Sequence, residues 1–198
     1  TRSDRDWSSD VCSSDLPAYD FDGNMTSMPA ISDSGSWNLS WDCENRLVEA
    51  SRSGQTLQFK YDYMSRRIEK KELSGETVVR NLRFVYDGYK LIEVLDGMNS
   101  NAVLKKLVWN GETPFSIHDN TANATYYYLL DANKNVSELV DSAGTVVAHY
   151  EYSPYGKIVS QSGDYADENP LRFSSEYFDD ETGLVYYNFR YYNPEMGR

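Results

Sequence analysis

The chain has 198 residues, 31 acidic against 19 basic, with a formal charge of -12. That acid excess, with no basic cluster, argues against nucleic acid or an anionic membrane as a partner. No apolar run reaches membrane-spanning length.

Residues 1–16, TRSDRDWSSDVCSSDL, show neither helix nor strand period. They read as the translation of a sequencing-library adapter, artefactual and disordered. The expected native reading therefore starts near Pro17, with the true N-terminus missing. Setting the segment aside leaves Cys43 as the one remaining cysteine, too few for an internal disulfide or a zinc site. Cysteine usage then says nothing about compartment.

From Pro17 the signal is strand after strand. An aromatic residue followed by Asp, then a small or polar turn, recurs at Tyr19-Asp20, Trp41-Asp42, Tyr61-Asp62 and Tyr86-Asp87. The Asp positions are 22, 20 and 25 residues apart, the spacing of an array of stacked supersecondary units. In each unit the aromatic ends a strand and packs inward, and the Asp bends the chain by capping local amides. Gly23 or Asn45 supplies the left-handed turn position. Leu57, Phe59 and Tyr61 alternate with polar residues, as do Leu82, Phe84 and Tyr86. Period-two alternation predicts half-buried strands. Seventeen tyrosines agree, because Tyr suits a pleated surface with its hydroxyl at the wet edge. Further turns are expected at Asp131–Asn135, at Asp141-Ser142-Ala143-Gly144 and at Tyr152–Gly156. No convincing amphipathic helix appears.

The end of the chain is the most specific part. Residues 171–178 and 184–192 are expected to form two strands joined by the acidic turn Asp179-Asp180-Glu181-Thr182-Gly183. Val185, Tyr187, Phe189 and Tyr191 would share one face of the second strand. Leu184, Tyr186, Asn188, Arg190 and Tyr192 would share the other.

These motifs carry a resemblance. Pro170 to Arg198, with its pattern RFxxxYxDxETGLxYYxxRYYxPxxGR, resembles the core domain that ends the repeat region of RHS (rearrangement hotspot, or YD-repeat) proteins. YDxxGNMT at Tyr19 to Thr26 and WDxxNRLVEA at Trp41 to Ala50 are similar to the family's repeat unit. Asn193 stands where the family commonly has Asp, and Ser65 and Lys134 where it commonly has Gly. Asn99 to Thr125 is the loosest match. The resemblance implies an all-β array of hairpin repeats, part of a sheet that spirals into a hollow shell. It implies repeats over residues 17–125 and a core domain over 126–198, truncated at its C-terminal end. In bacterial members the shell encloses a variable C-terminal region, often a toxin. The expected partners are thus the rest of the polypeptide shell and that enclosed region, in a secreted or cell-surface protein.

No catalytic, cofactor-binding or metal-binding residue is assigned. Asp179, Asp180 and Glu181 could pair for acid–base chemistry only if burial raised one of them. A hairpin turn in water is the simpler reading. His118 and His149 lack ligand spacing. Asn24, Asn38, Asn123 and Asn135 begin N-x-S/T triplets, which matter only in a eukaryotic secretory context. The resemblance also brings aspartyl self-cleavage, but its Asp-Pro motifs lie downstream of the RYYxPxxGR element, so no residue here receives that role. Three readings follow: a non-catalytic shell scaffold for a missing C-terminal cargo; a module holding glycans or cell-surface proteins, with Tyr126-Tyr127-Tyr128 as a platform; or the remnant of a self-cleaving protein.

Overall fold

The computed structural model describes residues 17–30 and 35–198, so the adapter reading of residues 1–16 lies outside the described residues. Alternating apolar residues do form strands, and the strands pair in chain order. The first seven are β1 (Ala18–Tyr19), β2 (Met25–Pro29), β3 (Ser36–Trp41), β4 (Leu47–Arg52), β5 (Gln55–Tyr61), β6 (Arg67–Ser74) and β7 (Thr77–Asp87). The next seven are β8 (Lys90–Asp96), β9 (Ala102–Asn110), β10 (Thr113–Asp119), β11 (Ala124–Leu130), β12 (Val136–Val140), β13 (Val146–Tyr152) and β14 (Ile158–Ser162). Together they make one 14-stranded antiparallel meander. The line drawn between residues 125 and 126 falls within β11.

One face of this sheet is apolar by register. Leu39, Ala50 and Leu57 are opposed in turn across β3, β4 and β5, and all three are buried. Tyr128, Leu139 and Ala148 do the same across β11, β12 and β13. The intervening Ser40, Gln58 and Lys60 face out.

Six of the connecting loops, those opening at Asp20, Asp42, Asp62, Asp131, Asp141 and Ser153, repeat one design. The residue before each loop pairs with the residue six positions on, as in Trp41 with Leu47, Tyr61 with Arg67 and Tyr152 with Ile158. The Asp Oδ1 accepts from two amides, those of Glu44 and Arg46 for Asp42 and those of Met64 and Arg66 for Asp62. Asp20, Asp131 and Asp141 do likewise. The fourth loop residue takes the left-handed conformation: Gly23, Asn45, Ser65, Lys134, Gly144 and Gly156 all have positive φ. The fifth often clamps the second carboxylate oxygen, as Arg46 does on Asp42 and Arg66 on Asp62. Asp87 is the exception. It pairs directly with Lys90 across a tight turn at Gly88-Tyr89, and among the described residues its carboxylate caps no amide. The loop is too short to fold back over it.

The aromatic residue has its own task. Each loop leaves a bulge in the ladder, and a bulge strands a carbonyl. Tyr61 donates its hydroxyl to the Leu47 carbonyl at 2.7 Å, Tyr86 to Arg67 at 3.0 Å and Tyr152 to Val136 at 2.8 Å. Trp41 donates Nε1–H to Met25 at 2.7 Å and Trp109 to Leu91 at 2.7 Å. At these five positions the residue is both large and a donor, which Trp satisfies as well as Tyr; Leu130 and Val140, before the Asp131 and Asp141 loops, are neither.

After β14 the chain turns in. Gly163 (φ 100°) lies so close to the Val147 carbonyl that a Cβ would not fit. Residues 163–198 then run along the apolar face as an insert. The expected strand over 171–178 is not formed. A 3-10 turn, Phe173–Ser175, occupies it, with Ser174 and Ser175 left-handed (φ 54° and 60°). Only β15 (Tyr177–Asp179) remains. The expected single strand over 184–192 is also broken, by left-handed Asn188, into β16 (Leu184–Tyr186) and β17 (Tyr191–Tyr192). The hairpin itself holds, with Tyr177, Phe178 and Asp179 opposite Tyr186, Val185 and Leu184. Leu184, Val185 and Tyr186 are all buried, so no two-face alternation survives.

Replacing Tyr152 with Phe should lower stability by about 1 kcal/mol, the net worth of one such hydrogen bond. Replacing Tyr63, which is 92% exposed, should change little. Urea unfolding midpoints of the two variants check this.

Candidate functional site

The densest chemistry lies where the insert meets the sheet. Arg67 opens β6 on the inner face and is 1% exposed. A guanidinium cannot shed its charge there, so its surroundings must compensate. Its Nη1 donates to the Asp179 carboxylate and, at 3.2 Å, to the Tyr191 hydroxyl. Five rings stand 4.5–5.9 Å from its central carbon: Phe59, Phe84, Tyr177, Tyr186 and Tyr191. Two come from the sheet and three from the insert, so the cage exists only when both are in place. The Arg67 amide donates to the Tyr186 hydroxyl at 2.8 Å.

Three residues on, Lys70 projects from the next inward position. Its Nζ donates to Asp179 Oδ1 and to Glu181 Oε2, both at 2.8 Å. Two cations from β6 thus meet two carboxylates from the acidic turn. Burial alone would raise Asp179, but Arg67 and Lys70 outweigh it and hold the carboxyl below its ordinary value. Burial likewise works against the charges of Arg67 and Lys70, and Asp179 more than restores them.

This corrects the reading of the acidic turn. Asp179 is fully buried rather than capping amides in water. Its pKa moves down, the opposite of what a general acid needs. The turn still forms where expected, with the Gly183 amide donating to the Asp179 carbonyl. Asp180 is separate, paired with Arg172 at 2.8 Å.

Other fastenings run the length of the seam. Lys105 bonds Asp119 at 2.7 Å and Glu168 at 3.3 Å, and the Tyr165 hydroxyl donates to Asp119. The Tyr128 hydroxyl donates to Asn169, and Tyr150 donates to the Ala166 carbonyl. The Ser174 amide donates to Asn135 Oδ1, and the Ser175 hydroxyl to the Lys134 carbonyl. Asn135 is buried, and Asn24 already donates to Asp20 and Asn45, so neither presents a free amide. Tyr126-Tyr127-Tyr128 makes no platform: Tyr128 is buried, Tyr126 stacks on Tyr165 inside, and Tyr127 meets Phe115 outside. His118 and His149 bond Thr125 and Glu138 separately. Cys43 is a free, exposed thiol in a loop. Among the described residues no helix is long and apolar enough to cross a membrane, which leaves strand-built spans unaddressed.

Sequence reasoning missed Arg67 and Lys70. They stand three apart, on opposite faces by strict alternation, and the register shift at Lys60/Tyr61 is what turns both inward.

A hairpin meander wrapped on its own C-terminal segment is a shell fold. Residues 18–198 match the Teneurin YD-shell family, and the chain belongs to it. Its relatives are RHS/YD-repeat proteins. The tRNA3(Ser)-specific nuclease WapA of Bacillus spizizenii is 30% identical over 185 residues, covering 91% of this chain and 7% of that protein. The toxin subunit YenC1 of Yersinia entomophaga is 27% identical over 184 residues, covering 81% of this chain and 18% of that protein. The crystal structure of TcdB2-TccC3 superposes with a TM-score of 0.66 and 22% identity, over 91% of this chain and 9% of that one, a likeness of fold. The chain therefore spans a small part of the length of these relatives.

Removing one partner from the buried cluster should be severe. Asp179→Ala leaves Arg67 and Lys70 charged and buried, at a cost of about 3–5 kcal/mol. Arg67→Met with Asp179→Leu, which removes the central pair together, should cost less than Asp179→Ala alone. Chemical denaturation of the two variants gives the comparison. The depressed Asp179 also fixes a sign. Its contribution is complete above the ordinary value of 3.8 and is lost as pH falls through the lower folded one. An acid titration of wild type followed by far-UV circular dichroism should show that loss, and Asp179→Asn should remove it.

Proposed function

We propose that this chain is a non-catalytic segment of a hollow shell that encloses and delivers the C-terminal region of a longer secreted or cell-surface polypeptide. The carrying observation is the inward turn at Gly163, after which the sheet holds residues 163–198 against its apolar face by caged and paired charges. A chain drawn inside in this way is aimed at the enclosed space. The nuclease and toxin names of the relatives fit a common scaffold with different contents. The acids that resembled a catalytic pair are spent on fastening the insert. On this reading residues 17–125 are the repeat region and 126–198 the core domain.

Limited proteolysis of the full-length protein tests the proposal. The region after the GR at Gly197-Arg198 should resist a protease that cuts the same region readily when it is expressed alone. Asp179→Ala, which unfastens the insert, should expose it. Equal cleavage rates for the free and the attached region would remove the enclosure reading. If that region is released without added protease, its N-terminal sequence will show whether the cut follows an Asp-Pro element.

A further inference from the structure

One carboxyl at the seam lacks the partners the others have. Glu176 follows the 3-10 turn of the insert and lines a cavity of about 440 Å3. The opposite walls are the β7–β8 turn, with Asp87, Tyr89 and Lys90, and the β9–β10 turn, with Trp109 and Glu112. Lys90 Nζ lies 2.9 Å from Glu112 Oε1, so the one ammonium lining the cavity is already engaged. Lys134, on the β11–β12 turn, also acts on Glu112. On the insert's own side the neighbour is the phenol of Tyr187. Among the described residues the Glu176 carboxyl has neither a hydrogen bond nor an ion pair, and the nearby Asp87 carboxylate has none to offer.

We propose that Glu176 is a proton-operated fastener: protonated, it lets the insert close on the β7–β8 and β9–β10 turns, and ionised, it opposes that closure. An uncharged carboxyl can sit in a half-buried acidic cavity at little cost. A carboxylate there loses water and gains no cation, since Lys90 is held by Glu112. The carboxylates of Asp119, Asp179 and Glu181 on the same seam are each paired with a lysine or arginine. Burial pushes the Glu176 carboxyl up to about 7 from its ordinary 4.5. The sign follows. The closed state binds the proton more tightly than the open one, so closure is strongest in acid and is lost progressively as pH rises from about 4.5 to about 7.

Hydrogen exchange at the amides of residues 177–186 reads the opening. Histidines also titrate near neutrality, so the parent should carry His118→Gln and His149→Gln. In that parent, after correction for intrinsic exchange, the opening equilibrium should rise roughly fifty- to a hundredfold between pH 5 and pH 8. With Glu176→Gln added it should be flat across this range and smaller than the parent's at pH 8. A Glu176→Gln protein that keeps the parent's pH slope overturns the proposal. If that variant does not fold, carbon-13 titration of the Glu176 carboxyl in the parent decides. A midpoint near 7 supports the fastener, and one near 4.5 overturns it.

Discussion

Burying Arg67 is the constraint on which the rest of the structure depends. A guanidinium in an apolar interior cannot lose its proton, so the fold must bring it an anion and polarizable surfaces. Asp179 is the anion, and five rings are the surfaces. None of the insert's contributions is local to Arg67: Asp179 lies 112 residues away. The insert can satisfy the site only if the 3-10 turn, the acidic turn and the Asn188 break all fall where they do. Buried ion pairs of this type add little net stability compared with an apolar core of equal volume. What this one supplies is selection, since any slip of the insert strands at least one charge. Lys70 and Glu181 tighten the selection by fixing the turn at a second point.

The sheet beneath is made to receive such an insert. A flat antiparallel sheet would not wrap a segment of its own chain. The bulge at each five-residue loop increases local twist and bend, and the loops recur at nearly every second connection. A bulge also leaves a carbonyl that must find a donor. The aromatic side chain at the end of the next strand provides it, so each repeat completes the one before it. That explains why aromatic and Asp travel together. The Asp shapes the loop, the loop makes the bulge, and the neighbouring repeat's ring seals it.

Most of this repeating layer was legible in the sequence. Alternation, the aromatic–Asp pair and the left-handed turn positions are local properties, and local chemistry decides them. The clamp from the fifth loop residue was equally legible, since Arg46 and Arg66 stand four places after Asp42 and Asp62, but only hydrogen-bond accounting reveals its purpose. The insert was harder. Residues 171–178 carry strand-forming letters, yet Arg172 turns its side chain back to the Asn169 and Asp167 carbonyls and breaks the extended run. Leu184 to Tyr192 reads as one strand because aromatic residues favour strands in general. Here those rings answer to Arg67 instead, and Asn188 reverses the chain so that Tyr191 can reach it. The acidic turn was placed correctly and its environment was not, because burial comes from a sheet more than a hundred residues earlier.

The same facts bear on what the acids of the turn can do. A carboxylate serves as acid or base when its proton is easily exchanged near working pH. Asp179 is held ionised between two cations, and Glu181 shares one of them. Making either of them available would undo the contacts that keep the insert in place. Structure and chemistry compete for the same groups, and in this segment structure holds them. The WapA and YenC1 relatives carry different names while matching this chain in sequence over most of its length. Because Arg67 and Lys70 share Asp179, and Lys70 also holds Glu181, a change at any one of the four groups strands another, so this seam resists piecemeal substitution.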